Sequence, residues 1–259
     1  KKSLTIISWN VNCIRAAERK GFAAWMAQGN YPIVCLQETK VSDPSLLSNE
    51  LRTMNGYTAY WHCAQEKKGY SGVAAYTQEK PLDVKTDFGK SKLSQEGRVL
   101  ELTYPWGVLL NIYFPNGGSG PERLQYKLEF YKEFLDYITA LTAKSQNVVF
   151  CGDVNTAHHP IDLARPKENV ERSGFLPIER EWLDKFEAAG FIDTFRLIHP
   201  QKVQYSWWDM KTFARSRNIG WRIDQVWVSN TMKSQVEDAF ILDQVQGSDH
   251  CPVGVTLRV

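Results

Sequence analysis

Nine short apolar runs, spread along the whole chain and broken by helical or polar stretches, constrain the fold more than any other feature. They are Leu4–Trp9, Ile33–Gln37, Gly72–Thr77, Val99–Thr103, Val108–Phe114, Val148–Gly152, Ile223–Ser229, Ala239–Leu242 and Val253–Val259. They are rich in Val, Ile, Tyr and Trp, and many are continuous rather than alternating, which predicts strands buried on both faces or in a sandwich core. Helical patterns lie between them. Pro121–Lys144 is the clearest, with Pro121 suited to a first turn and apolar residues at Leu124, Leu128, Tyr131, Leu135 and Ile138. Pro177–Ala189 is a second, and Ala23–Gln28 and Pro44–Met54 are shorter candidates. Length alone allows one domain or two for 259 residues. No linker or low-complexity tract divides the chain, so residues 1–259 are expected to form a single α/β domain with two sheets packed together and helices outside. Each half has apolar strands ending in polar, acid-containing tips, a faint internal echo.

Composition narrows the function classes. Hydrophobic residues make up 43% and charged residues 23%, as in a soluble globular protein. No apolar run approaches the roughly 20 residues of a membrane helix, and the start runs straight into a strand with no secretory pattern. The five cysteines are odd in number and contain no C-x-x-C pair, which argues against a disulfide framework and a zinc site. Cys35 and Cys151 sit in apolar runs and read as buried free thiols, fitting a reducing compartment. The net charge of +2 lacks the basic excess typical of nucleic-acid binders. Basic clusters at Arg15–Lys20, Lys67-Lys68 and Lys211–Arg222 are, taken singly, ordinary solvated surface.

The chemistry concentrates where strands stop. Ser8-Trp9-Asn10-Val11-Asn12, Leu36-Gln37-Glu38-Thr39-Lys40, Ile112-Tyr113-Phe114-Pro115-Asn116 and Cys151-Gly152-Asp153-Val154-Asn155 each follow an apolar run. Trp221-Arg222-Ile223-Asp224 and Gly247-Ser248-Asp249-His250-Cys251-Pro252 each precede one. Any one of these is more often a plain turn. Together they supply carboxylates (Glu38, Asp153, Asp224, Asp249), amides (Asn10, Asn12, Asn155) and one imidazole (His250) on loops that a rigid sheet can hold together. Oxygen donors without Cys or multiple His suit Mg²⁺, Mn²⁺ or Ca²⁺. Asp-x-Asn and Asp-His fit hydrolysis of a phosphate ester, which needs a group to deprotonate water and donors for developing charge.

This ordered set, together with Gly69-Tyr70-Ser71-Gly72-Val73, Glu96-Gly97-Arg98-Val99, Ile161-Asp162-Leu163, Ser173-Gly174-Phe175 and Asn218-Ile219-Gly220-Trp221-Arg222-Ile223-Asp224, resembles the exonuclease III family of AP endonucleases. That family lies within the endonuclease/exonuclease/phosphatase group, which includes DNase I and the inositol polyphosphate phosphatases. The resemblance spans essentially the whole chain. It implies a DNase I-like four-layer α/β sandwich, two packed mixed sheets flanked by helices, with the site at one end. The implied activity is Mg²⁺-dependent incision of duplex DNA 5′ to an abasic site, with 3′-phosphodiesterase, 3′-phosphatase and 3′→5′ exonuclease activity and with Mn²⁺ as a substitute ion. By the same resemblance, Glu38 is the main metal ligand, with Asn12 and Asp249 beside it and Asp153 and Asn155 near. Asp153 aligns and deprotonates the attacking water, supported by Asn155 and Asn10. Tyr113 serves the phosphate or leaving group, and His250, paired with Asp224, contacts the scissile phosphate. Trp207, Trp221 and Ile223 resemble a pocket for a base-less sugar, with Ser173 small enough at its rim to admit one. Arg15, Lys20, Tyr70, Asn116 and Asn169 fall where the family grips DNA, through contacts that carry affinity rather than sequence choice.

Several positions depart from the family pattern. Asn12 stands where some members have Asp, lowering the negative charge near the metal. Cys13 replaces a Gly, which would cost on the order of 1 kcal/mol if that position needed positive φ. Ser119 and Lys211 replace residues that other members press into the duplex. The residues alone leave two alternatives: a phosphoesterase acting on a small phosphorylated molecule or lipid, and a non-catalytic DNA-damage-binding module. A monomer is expected, acting on double-stranded DNA with abasic sites or 3′ blocks. The expected compartment is the cytoplasm, with the nucleoid, in a microbe and the nucleus otherwise, with no membrane association.

Overall fold

A computed structural model describes residues 1–259. Its strands, in chain order, are β1 Ser3–Asn10, β2 Ile33–Gln37, β3 Thr58–His62, β4 Val73–Thr77, β5 Asp83–Lys85, β6 Val99–Tyr104, β7 Gly107–Tyr113, β8 Val148–Asp153, β9 Phe191–Asp193, β10 Trp207–Trp208, β11 Gly220–Trp221, β12 Asp224–Ser229, β13 Val236–Ile241 and β14 Val253–Arg258. One six-stranded sheet runs β13-β14-β1-β2-β4-β3, the other β5-β6-β7-β8-β12-β9, and β10 and β11 form a separate ribbon. In each large sheet only the central pair is parallel, β1 with β2 and β7 with β8. All other pairs are antiparallel.

The two sheets are built alike. Matching β13, β14, β1, β2, β3 and β4 with β5, β6, β7, β8, β9 and β12 reproduces the same neighbours and directions, with the last strand of each set inserted inside the edge strand. The echo of acid-tipped strands in the sequence is this topological repeat. Glu38 follows β2, and Asp153 ends its counterpart β8.

Alternation explains why continuous apolar runs suit these strands. Ile33 and Cys35 of β2, and Val149 and Cys151 of β8, enter the core between the sheets. Val34 and Leu36 face outward under the helix Phe22–Gly29, in a cluster with Phe22 and Met26. Val148 and Phe150 face outward under the helices Pro121–Ala143 and Pro177–Ala188, against Phe134 and Phe186. The layers are therefore helix, sheet, sheet, helix, as the resemblance implied. A buried amide ties the sheets beneath the site: Asn111 of β7 donates to Leu36 O (3.1 Å) and Ala74 O (2.7 Å) of the opposite sheet and accepts from Gln37 (2.9 Å). No helix is long and apolar enough to cross a membrane.

Local differences from the sequence reading have physical causes. The segment Pro44–Met54 is two short turns, Pro44–Leu46 and Asn49–Arg52, because Asp43 and Ser48 each cap a new start. In Pro121–Ala143 the buried stripe is Lys127, Phe130, Tyr131, Phe134 and Ile138, while Leu124, Leu128 and Leu135 are only partly buried. A buried ion pair at Lys127 occupies a position that periodicity assigns to an apolar residue. Cys13 lies at φ 177, extended backbone open to any residue, and the left-handed residue is Asn12 at φ 59.

Candidate active site

Strand register brings the polar tips together. Tyr113, Asp153 and Asp224 are consecutive cross-strand partners on β7, β8 and β12. In the facing sheet Asn10 pairs with Gln37, and Glu38 follows at once. Asn12, Glu38, Lys40 and Asn155 all take left-handed backbone. This is costly for non-glycine residues, by on the order of 1 kcal/mol each. All four lie just past the ends of β1, β2 and β8. Gly152 shows how tight that end is, since a Cβ there would lie 1.7 Å from Ile112 O.

Asn10 links the two sheets' carboxylates, its Nδ2 donating to Asp153 Oδ2 (2.9 Å) and Glu38 Oε1 (3.2 Å). The Tyr113 hydroxyl donates to Glu38 Oε1 (2.9 Å). Burial, reinforced by the Glu38 charge, pushes the Tyr113 phenol well above its ordinary pKa and keeps its proton in place. The Asn155 backbone N–H donates to Asp153 Oδ1 (2.9 Å), while its side-chain amide donates to Phe114 O (2.7 Å). On the far side Asp224 Oδ2 meets His250 Nδ1 at 2.7 Å and accepts from Ser206 Oγ at 2.8 Å. His250 Nε2 lies 3.7 Å from Asp153 Oδ2. Burial works against the imidazolium, but Asp224 and Asp153 outweigh it and raise the His250 pKa to about 10. Burial also raises Asp153, to about 7, against the pull of His250. The result is an imidazolium held between two buried carboxylates, one of them poised to take up a proton.

Oxygen donors that could hold a metal lie beside this cluster, on the tips of the facing sheet and the loop before β14. The Lys40 ammonium bridges Glu38 Oε2 (3.2 Å) and Asn12 Oδ1 (2.9 Å), and Asn12 Nδ2 donates to Asp249 Oδ1 (3.2 Å). A cation already held between a carboxylate and an amide oxygen, with a second carboxylate beside them, is a donor set that fits a hard divalent ion. Asp153, Asp224 and His250 also lie close together. They are buried, with His250 between the two carboxylates, which leaves Glu38, Asn12 and Asp249 as the more accessible set.

Glu38, Asp153, Asp249 and His250 floor a cavity of about 630 Å³. Of the residues singled out in the sequence, Glu38, Tyr113, Asp153, Asn155, Asp249 and His250 reach it, as do Asn116, Ser173, Trp207, Trp221 and Ile223. Trp207 and Trp221 meet edge to face, with centroids 6.1 Å apart, and Trp207 Nε1 donates to Asp249 Oδ2 (3.1 Å). Asn10, Asn12 and Asp224 sit behind the floor in the contacts given above. Arg15 and Lys20 are exposed on and just after the helix Ile14–Arg19, away from that cavity. Lys20 instead borders a second hollow with Ser248 and Asp249. The Tyr70 hydroxyl accepts from Arg98 (3.0 Å) and Arg123 (3.1 Å), and Asn169 bonds back to Arg165 O (2.7 Å).

Sequence reasoning missed the supports. Lys127, fully buried, donates to Asn155 O (2.7 Å) and pairs with buried Glu179. Glu179 accepts from Ser173 Oγ (2.8 Å) and the Gly174 N–H (2.6 Å) at the cavity rim. Behind Trp221 and Ile223, Arg222 binds Asp162 (2.8 Å) and Asp193 (2.6 Å), and Arg196 joins Asp162 (2.6 Å). No local pattern marks these partners, which lie tens of residues apart in sequence.

One prediction follows from the Arg222 network. Burial opposes the Asp162 carboxylate, but Arg222 and the other donors hold its pKa down to about 2. A depressed folded-state pKa stabilises above the ordinary carboxylate value, and that stability is lost as pH falls through the folded one. Between roughly pH 4 and pH 2 the protein is expected to lose about 2 kcal/mol through this group. Urea unfolding across that range checks it, because Asp162→Asn lacks this limb of the pH profile.

Comparison with known proteins gives one consistent neighbourhood. The family model described as "Endonuclease/Exonuclease/phosphatase family" matches residues 7–250. The chain is 42% identical over 258 residues to the exodeoxyribonuclease of Bacillus subtilis, covering 99% of this chain and 100% of the relative. It is 38% identical to the DNA repair nuclease APEX1 of Danio rerio, covering 99% of this chain and 83% of that one. Among solved structures, an AP endonuclease from Archaeoglobus fulgidus superposes with a TM-score of 0.87 at 28% identity, covering 99% of this chain and 100% of that one.

Proposed function

Because the chain belongs to the endonuclease/exonuclease/phosphatase family, we propose that it is a DNA repair nuclease hydrolysing the phosphodiester 5′ to abasic sites in duplex DNA. The 3′-phosphodiesterase, 3′-phosphatase and 3′→5′ exonuclease reactions are the same hydrolysis at a strand end, and we assign them to the same centre. One observation carries the reading. Asp153 joins Glu38 through Asn10 and faces His250, at the floor of a cavity whose wall is Trp207, Trp221 and Ile223.

Residues 1–259 act as one catalytic unit in this reading. Asp153 takes the proton of the attacking water, aligned by Asn10 and the Asn155 backbone N–H. His250, kept charged by Asp224, binds a non-bridging oxygen of the scissile phosphate, where positive charge is worth most in a water-poor cleft. Tyr113 keeps its proton and orients Glu38 or the leaving oxygen. Mg²⁺, with Mn²⁺ as a substitute, would be held by Glu38, Asn12 and Asp249, and when bound supplies Lewis-acid stabilisation of charge on the phosphate oxygens. The aromatic wall suits a sugar that has lost its base: an extruded abasic nucleotide offers little to hydrogen-bond, so a close apolar fit can select it. Ser173, drawn back by Glu179, leaves the rim open. Arg15, Lys20, Tyr70, Asn116 and Asn169 contact the DNA backbone around this centre, adding affinity that falls with salt.

Parallel cleavage of four substrates tests the reading: an abasic duplex, a 3′-phosphate duplex, an undamaged duplex and an inositol phosphate. The expected result is Mg²⁺-dependent turnover of the two damaged duplexes, abolished by EDTA and restored by Mg²⁺. Turnover of the inositol phosphate alone would overturn it.

A further inference from the structure

We propose a second metal site, for a divalent transition metal of the Zn²⁺ class, formed by His158, His159 and Glu187 and oriented by Asp184. It lies apart from the oxygen-donor set of the active site, on the loop that follows Asp153 and Asn155. Donor atoms of His158, His159 and Glu187 lie within 4.8 Å of one another. His158 Nδ1 and Glu187 Oε1 are 3.3 Å apart. That is long for a charge-assisted hydrogen bond, which runs about 2.7–2.9 Å. It equals the edge of a tetrahedron with arms of about 2.0–2.1 Å, the length of zinc bonds to nitrogen and carboxylate oxygen.

The second observation is the partner of the other ring nitrogen. Asp184 Oδ1 lies 2.6 Å from His158 Nε2, a partner that holds the ring N–H on that side whenever Nδ1 serves an ion. Metal-binding histidines are commonly oriented this way by a carboxylate on the far nitrogen. The His158 backbone is pinned as well, its carbonyl accepting from Arg180 Nε at 2.8 Å. His158 is buried, and His159 stacks on it with ring centroids 3.8 Å and planes 23° apart; exposed like Glu187, the His159 ring turns out of that stack to bring a nitrogen onto the ion. Two imidazoles and a carboxylate leave a fourth position for water and favour Zn²⁺-class ions over Mg²⁺. The site needs no cysteine, which is why cysteine spacing does not reveal it. A bound ion would tie the loop after the catalytic tip to the helix Pro177–Ala188, which carries Asp184 and Glu187.

Titration of the full chain with Co²⁺ tests this, because cobalt reports tetrahedral nitrogen and oxygen ligands through its visible spectrum. The expected result is a single equivalent that gives tetrahedral bands, in the wild type and equally in Glu38→Gln, displaced by Zn²⁺ and accompanied by a rise in Tm. The bands are lost in His159→Gln and in Glu187→Gln, both exposed changes that keep the fold by circular dichroism and the Mg²⁺-dependent nuclease activity. Asp184→Asn weakens binding roughly 10–100-fold. A wild type without tetrahedral bands, bands that survive in His159→Gln and Glu187→Gln, or bands lost in Glu38→Gln would each overturn the proposal.

Discussion

Asp153→Asn is expected to lower kcat on abasic duplex by roughly 10²–10⁴-fold, the range that a positioned general base contributes, with a much smaller change in KM. The side chain keeps its shape, and an amide oxygen still accepts the Asn155 N–H. What it loses is the ability to take a proton. Burial holds the Asp153 carboxyl near pH 7, close to where a base must work, and His250 beside it limits that rise. Steady-state kinetics on an end-labelled duplex separates the two parameters. Equal losses in binding and turnover would instead make Asp153 a structural residue.

Lys127→Met is expected to cost about 3–5 kcal/mol, because removing one partner of a buried pair leaves Glu179 charged and unpaired in the interior. For a chain of this size that corresponds to a fall in Tm of roughly 6–20 °C, read by thermal unfolding. Burial alone would discharge Lys127 and does depress its pKa, with Glu179 acting against that. Adding Glu179→Gln to Lys127→Met should recover part of the loss, since a neutral pair is cheaper to bury than a lone charge. Activity is also expected to fall, because this pair holds the Asn155 carbonyl and, through Glu179, Ser173 and Gly174 at the cavity rim. An unchanged Tm would mean that the buried pair adds nothing to the fold.

What was legible in the sequence follows from how local each signal is. A strand buried on both faces declares itself by an unbroken apolar run, so β1, β2, β7 and β8 were visible, and with them the tips carrying Asn10, Glu38, Tyr113 and Asp153. Edge strands β3, β5 and β9 are short or partly exposed and carry no such run. The ribbon of β10 and β11 is two residues wide and exists to set Trp207 against Trp221. Lys127 went unnoticed in the helix because a lysine on a buried stripe makes sense only beside Glu179, 52 residues away. The Cys13 substitution looked costly by analogy, yet the turn places its left-handed residue one position earlier, at Asn12. Lys40 was visible but had no assigned part. Only the folded chain shows its ammonium spanning Glu38 and Asn12, where a divalent cation would also be favoured.

Mapping the cut on a duplex with a single abasic site, labelled at one end, tests the central claim most directly. The account predicts Mg²⁺-dependent incision immediately 5′ to the site, leaving a 3′-hydroxyl that a polymerase extends, and no such product from Asp153→Asn. A wild-type protein that leaves this duplex intact with Mg²⁺ present, or cuts it identically when Asp153 is replaced, would contradict it.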